Sequence, residues 1–185
     1  MSDPSTHDDE PAATANRRTQ WLLGLGAAIG LGVTQVLPMD YLVAARDAKL
    51  SVRFVKMGLV PELASSHFLA ARLGFGVASE LMLTGKTISG EEALAIGLVD
   101  KVADGDQVVA EACAVARAMG ANPQSALRQI KRLLTQNANE TDLRAVQQRE
   151  GEALAVCYAS AEHKEAIAAF LDKREPDFKA ARASE

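Results

Sequence analysis

The chain has 185 residues, 48% of them hydrophobic and 24% charged, the balance of a globular protein long enough to bury a real core. Lys and Arg total 20 against 24 for Asp and Glu, a net charge of -4, and aromatic residues make up only 4%. These figures exclude a basic nucleic-acid surface and an array of base-stacking rings. The two cysteines, Cys113 and Cys157, have no metal-ligand spacing and fall within helical patterns. They read as small core residues in a reducing compartment.

In chain order, residues 1–20 are polar, acidic and then basic, with no aliphatic side chain larger than alanine. Such a segment cannot bury enough surface to order itself and reads as a disordered tail. The run from Trp21 to Met39 is apolar and rich in glycine (Gly24, Gly26, Gly30, Gly32) and follows Arg17 and Arg18. A membrane anchor or a twin-arginine export signal is the rival reading here. Thr34, Gln35, Pro38 and the glycines argue against it, as does the lack of an A-x-A-like cleavage site. A dinucleotide-binding turn fits less well still, because "GLGAAIG" has one residue too many for G-x-G-x-x-G. A third reading is a backbone that must come close to a ligand, which glycine allows because it carries no Cβ.

"DYLVAA", from Asp40, is β-prone, and Val52, Phe54 and Val55 favour extended backbone before Gly58 and Pro61 break it. Beyond Ser65 the apolar spacing turns helical, with Phe68, Leu69, Leu73, Val77, Leu81 and Leu83 recurring at three and four. "SGEE" forms a capping box of Ser89 and Glu92, and Gly97 closes that helix. Four more helices follow: Val108 to Met119, a second capped by Asn122 with Pro123 in its first turn, Asp142 to Ala159, and Glu162 to Lys173. The order predicts an α/β fold with an all-helical C-terminal part, divided as a tail over 1–20, a core over 21–105 and a helical region over 106–185.

Three segments, "GAAIGLGVTQVLPMDYLVAARDAKLSVRFVKMGLVP", "ASELMLTGKTISGEEALAIGLVDKV" and "HKEAIAAFLDKREPDF", resemble in order and spacing the crotonase superfamily of enoyl-CoA hydratases and isomerases, from Gly26 to Phe178. The resemblance implies a crotonase-like core of ββα repeats, represented here by roughly its C-terminal two-thirds. It also implies an acyl-CoA thioester substrate, with coenzyme A arriving as part of it and no other cofactor or metal, in a cytoplasmic homo-oligomer (a trimer or hexamer built through the C-terminal helices). By the family pattern the oxyanion-hole donor is the N–H of Leu31, with Ala28, Gly30 and Gly32 around the substrate and Lys173, beside Arg174, at the coenzyme phosphates.

In the family's hydratases two glutamates activate water and deliver a proton; the matching positions here are Thr34 and Phe54. Glu62, in "MGLVPELASS", matches the acid/base of the family's isomerases, and its apolar neighbours Leu59, Val60 and Leu63 could desolvate it. A double-bond shift is therefore expected in preference to hydration. His67, a turn further on, reads as a surface or capping residue, and at least one of Arg53 and Lys56 as solvated. The front of the family fold, which supplies the second oxyanion donor, is replaced here by the polar tail. The expectation is a weak catalyst or, alternatively, an inactive crotonase-like subunit that only binds partners through its helical C-terminus.

Overall fold

The computed structural model describes residues 22–184, with side chains from Ala28 onward. The expected disordered tail over 1–20 and Trp21 lie outside them.

Strand β1 (Leu22–Ile29) runs into a four-residue helix α1 (Leu31–Thr34), and the chain returns as β2 (Tyr41–Ser51), parallel to β1. The pairing holds from Leu22↔Tyr41 to Leu25↔Ala44 and again from Ala27↔Lys49 to Ile29↔Ser51, with a register slip between. β2 is the central strand. Its other edge takes β4 (Lys101–Ala103) in parallel at Val43–Ala45 and the short β3 (Thr87–Ile88) antiparallel at Leu50–Ser51. Leu42, Val43, Ala44 and Ala45 are all buried, as expected of a strand covered on both faces.

After β2 and Val52 a 3-10 turn (Arg53–Met57) replaces the extended backbone expected at Phe54 and Val55. Two glycines account for this. Gly58, at φ 68, ends the turn in left-handed backbone, its N–H donating to the Val55 carbonyl. Gly85, also left-handed, lies so close that an added Cβ would stand 3.1 Å from the side chains of Val55 and Lys56. α2 (Ser65–Leu73) and α3 (Phe75–Thr84) bury Leu69 and Leu81 but leave Leu83 exposed. The break between them is Gly74, at φ 76. Asp100 ties α2 to the sheet, its carboxylate accepting from Leu42 N at 2.7 Å and Arg72 Nη2 at 2.6 Å.

The expected capping box opens α4 (Gly90–Ala95), with Glu92 N–H donating to Ser89 Oγ and Ser89 N–H to the Glu92 carboxylate. Gly97, at φ 80, follows its end. α4 rests on β2 so closely that a Cβ on Gly90 would stand 1.9 Å from the Ala45 carbonyl oxygen.

One compact unit ends at Ala112 and a second runs from Cys113 to Glu185, the division falling within α5 (Val108–Gly120). The buried face of α5 is carried by Val108 and Ala112. Cys113 follows Ala112 by one residue, a rotation of about 100°, and is exposed, while Cys157 is half-buried. Neither is the core residue the pattern implied.

The second unit packs α6 (Gln124–Asn137) on α7 (Leu143–Ala159), α7 on α8 (Ala161–Asp172) and α8 on α9 (Phe178–Ala183). Asn122 does not cap α6; its amide donates to the carbonyls of Ala118 and Met119 and so closes α5. The first N–H groups of α6 go instead to the carboxylate of Glu162, which accepts from Gln124 N at 2.9 Å and Ser125 N at 2.8 Å. Asp142, Ser160 and Asp177 cap α7, α8 and α9 through their side chains.

Candidate active site

The turn between β1 and α1 is set by Gly30, at φ 60 and ψ -117, a conformation essentially confined to glycine. Its N–H donates to Ser51 O at 2.8 Å, fixing the turn to the end of β2. The next two N–H groups, of Leu31 and Gly32, find no acceptor among the described residues. They belong to a first helical turn, where no intrahelical partner exists. Leu31 and Ile29 are each 50% exposed.

The neighbours of this turn are apolar. A Cβ on Gly32 would sit 3.4 Å from Ala28 Cβ, and one on Gly30 would sit 3.9 Å from Phe54 Cζ. The structure thus brings Ala28, Gly30, Leu31, Gly32 and Phe54 together. Thr34 is fully buried and its hydroxyl donates to Leu31 O at 3.3 Å, within its own helix.

Glu62 is exposed, on the loop between the 3-10 turn and α2. The two residues after it, Leu63 at φ 54 and Ala64 at φ 56, are both left-handed. Ser65 N–H donates to Glu62 O at 3.0 Å. Two left-handed central residues closed by that bond make a type I′ turn, normally the province of Asn-Gly. Leu and Ala there cost on the order of 1–3 kcal/mol each. Strain of this kind persists where surrounding structure enforces it, and it gathers at functional sites. The hydroxyl of Ser65, which is 1% exposed, has no hydrogen-bond partner among the described residues. Nothing in the sequence pattern singled it out. Its signal becomes visible only once burial is known.

His67 is exposed and meets Phe68 edge-on, the rings 5.4 Å apart, and Arg53 and Lys56 are both exposed. Lys173 lies in the second unit, where it ends α8 in left-handed backbone at φ 53. Its ammonium has no ionic partner among the described residues. Arg174 does: both its Nη atoms donate to Glu165, at 2.6 and 3.0 Å, and these hydrogen bonds, with the charge behind them, raise the guanidinium's proton affinity further. Arg174, together with the Asp177 N–H, pulls the Glu165 carboxyl down to about 2.

The sheet around β2, followed by a helical region, makes this an α/β protein. A sequence profile described as enoyl-CoA hydratase/isomerase matches residues 25–181. A crotonyl-CoA hydratase of Syntrophomonas wolfei is 30% identical over 153 residues, covering 83% of this chain and 58% of that protein. An enoyl-CoA hydratase of Alternaria alternata is 34% identical over 157 residues, covering 83% of this chain and 52% of that protein. The crystal structure of an enoyl-CoA hydratase from Bacillus anthracis superposes with a TM-score of 0.79 at 29% identity, over 83% of this chain and 59% of its own. The chain belongs to the enoyl-CoA hydratase/isomerase family and spans between 52% and 58% of the length of these two sequence relatives. No helix among the described residues is long and apolar enough to cross a membrane.

Proposed function

We propose that the chain acts on acyl-CoA thioesters and shifts a carbon–carbon double bond in preference to hydrating it. The Glu62 carboxylate takes a proton from the carbon beside the thioester, the electron pair moves onto the carbonyl oxygen, and the enolate oxygen accepts from the Leu31 N–H. Return of the proton to the far end of the former double bond completes an isomerisation with no net gain or loss of atoms. Donors aimed at developing negative charge stabilise such an enolate more than the ground-state carbonyl. Gly30, Gly32 and Ala28 let the thioester approach the backbone.

The observation that carries this reading is the pairing of an uncommitted Leu31 N–H with apolar or engaged side chains at the two positions where hydration would want carboxylates. Phe54 lies over Gly30 and Thr34 is buried on Leu31 O. Glu62 is then the only glutamate between Gly30 and Ser65, and one carboxylate suffices to relay one proton. The relatives described above are named hydratases, so the preference rests on these side chains and not on the likeness.

Lys173, exposed and without an ionic partner among the described residues, suits the coenzyme phosphates. The C-terminal helices suit self-association, because no side chain of α6 is buried. A cavity of about 410 Å³ opens along α6 and α7, lined by Ala126, Ile130, Leu133 and Leu154 among others. The setting is the cytoplasm, where acyl-CoA is made and used. A second reading, partner binding through the C-terminal helices without turnover, is favoured by Phe170 and Leu171 on α8, 82% and 72% exposed.

The test is product analysis on the purified chain supplied with 3-enoyl-CoA and, separately, 2-enoyl-CoA. Interconversion of the two enoyl isomers with little 3-hydroxyacyl-CoA is expected. Predominant hydration would overturn the preference, and no turnover of either would favour the partner-binding reading.

A further inference from the structure

We infer that Ser65 is a positioning residue for Glu62: its buried hydroxyl is the donor that receives the ionised Glu62 carboxylate when that side chain turns in toward bound substrate. The inference rests on the assignment of Glu62 as the proton carrier. Ser65 Oγ is the one buried hydroxyl without a hydrogen-bond partner among the described residues, and the residue is 1% exposed. Buried hydroxyls are rarely left unpaired, and those that are call for an explanation.

The usual local explanations fail here. Ser65 stands one residue inside α2, so it is not the cap; Ala64 holds that position, and no side chain caps this helix. The carbonyls that a helical serine ordinarily reaches, three and four residues back, belong to Glu62 and Pro61, and neither receives it. What Ser65 does have is a fixed relation to Glu62. The type I′ turn through Leu63 and Ala64, closed by Ser65 N–H on Glu62 O at 3.0 Å, sets the two residues at its ends. A turn of this class holds end residues within about 7 Å, Cα to Cα. That is within reach of a three-bond carboxylate arm.

The chemistry follows directly. A hydroxyl donating to a carboxylate favours its charged form and fixes its orientation. In the proposed reaction Glu62 must begin as the base. Ser65 keeps its own proton throughout and weakens its hold once Glu62 is protonated, which favours handing that proton on. A donor needed only in the substrate-bound site is unpaired in the free protein, as observed.

Other charged or titratable side chains on α2 and α3 are His67, Arg72 and Glu80, with Arg53 and Lys56 on the 3-10 turn. Arg72 is held by Asp100 and Glu80 by Lys86. Histidine is the side chain that ordinarily titrates between pH 5 and 8, so the experiment is run in a His67→Gln background. Ser65→Ala, Ser65→Thr and Glu62→Gln are compared with the parent for melting temperature and for the pH dependence of kcat on 3-enoyl-CoA.

Ser65→Ala is expected to melt at the same temperature or higher, because it removes an unpaired group. Its kcat should fall about 10-fold with little change in KM, and the acid limb of the kcat profile should move up by about one pH unit as the donor to the base is lost. Ser65→Thr, which keeps the hydroxyl, should restore both. Two results would overturn the inference alone: an unmoved limb and kcat in Ser65→Ala while Glu62→Gln is inactive, or a clear drop in its melting temperature, which would give the hydroxyl a role in the fold. Full activity in Glu62→Gln would remove the assignment of Glu62 and the inference with it.

Discussion

Phe54 lies against Gly30: its Cζ is 3.9 Å from the point where a Cβ on that glycine would stand. An aromatic carbon is thus among the nearest side-chain atoms to the turn that carries the unpaired Leu31 and Gly32 N–H groups. A ring in that position offers no proton and no site for an ordered water, so the first prediction concerns it. Phe54→Glu should raise the yield of 3-hydroxyacyl-CoA relative to isomerised product by at least about 10-fold, because a second acid/base group commonly contributes 10²–10⁴-fold to such a step. Phe54→Ala should not, since space without a base does not activate water. Chromatographic product ratios distinguish the two. Equal ratios in both variants would show that Phe54 does not set the outcome.

Gly30 and Gly32 should respond differently to alanine. At φ 60 and ψ -117 Gly30 occupies backbone that a Cβ excludes, so Gly30→Ala must move the turn. A loss of about 1–3 kcal/mol of stability and about 10²-fold or more in turnover is expected, as when an oxyanion donor is displaced. Gly32→Ala meets Ala28 Cβ only at 3.4 Å, the edge of ordinary contact, and should lose less than a tenth as much activity. Thermal melts and steady-state rates of both variants check this.

The helical unit makes an independent prediction through Glu162, which is 2% exposed. Its carboxylate accepts from Gln124 N, Ser125 N, Ser125 Oγ and Arg182 Nη1 at 2.7–3.0 Å. Burial, the largest single influence, pushes its carboxyl up. The N–H groups of Ser125 and Gln124, the Ser125 hydroxyl and Arg182 outweigh burial and hold it below its usual value. Glu162→Ala should cost this unit about 3 kcal/mol, because it strands the start of α6 and a paired arginine.

The sign of the pH dependence is fixed by those lowered values. A carboxylate whose folded pKa is depressed stabilises fully above its unfolded value, about 4.3, and the contribution is lost as pH falls through the folded one. Glu165, at about 2, extends that window downward. Helical circular dichroism should therefore hold above about pH 4.5 and decline between there and pH 2, with the decline reduced in a Glu162→Gln, Glu165→Gln double variant and the remainder set by carboxylates such as Glu140, which the Asp142 N–H and Arg149 also hold low. A transition centred near pH 6 would contradict this.

Much of this was legible in the residues. The capping box of Ser89 and Glu92, the strand at Tyr41 and the helices from Ser65 onward are local patterns, fixed by neighbours within a few positions, and the structure has them. Elements set by distant contacts were not legible. Phe54 and Val55 have strand propensity but coil into a 3-10 turn, against which Gly85, thirty residues on, packs closely. Asn122 precedes Pro123 as a cap should, yet it turns back to α5, because Glu162, from α8, already occupies the start of α6. At the candidate site the glycine turn could be read from its glycines. The left-handed Leu63 and Ala64 could not, since those residue types argue against that backbone, and the orphaned Ser65 hydroxyl depends on burial that no local pattern encodes.

The central claim, that one carboxylate carries the proton, is tested most directly by the rate of 3-enoyl-CoA to 2-enoyl-CoA conversion in Glu62→Gln, with Thr34→Ala measured alongside. Glu62→Gln keeps the shape of the side chain and removes its basicity, and the rate should fall by at least about 10²-fold. Thr34→Ala loses only a hydroxyl that bonds Leu31 O inside the helix and should stay within about 5-fold of the parent, since a single lost intramolecular hydrogen bond is worth about 1 kcal/mol. Equal losses in the two variants, or an unchanged rate in Glu62→Gln, would contradict the account.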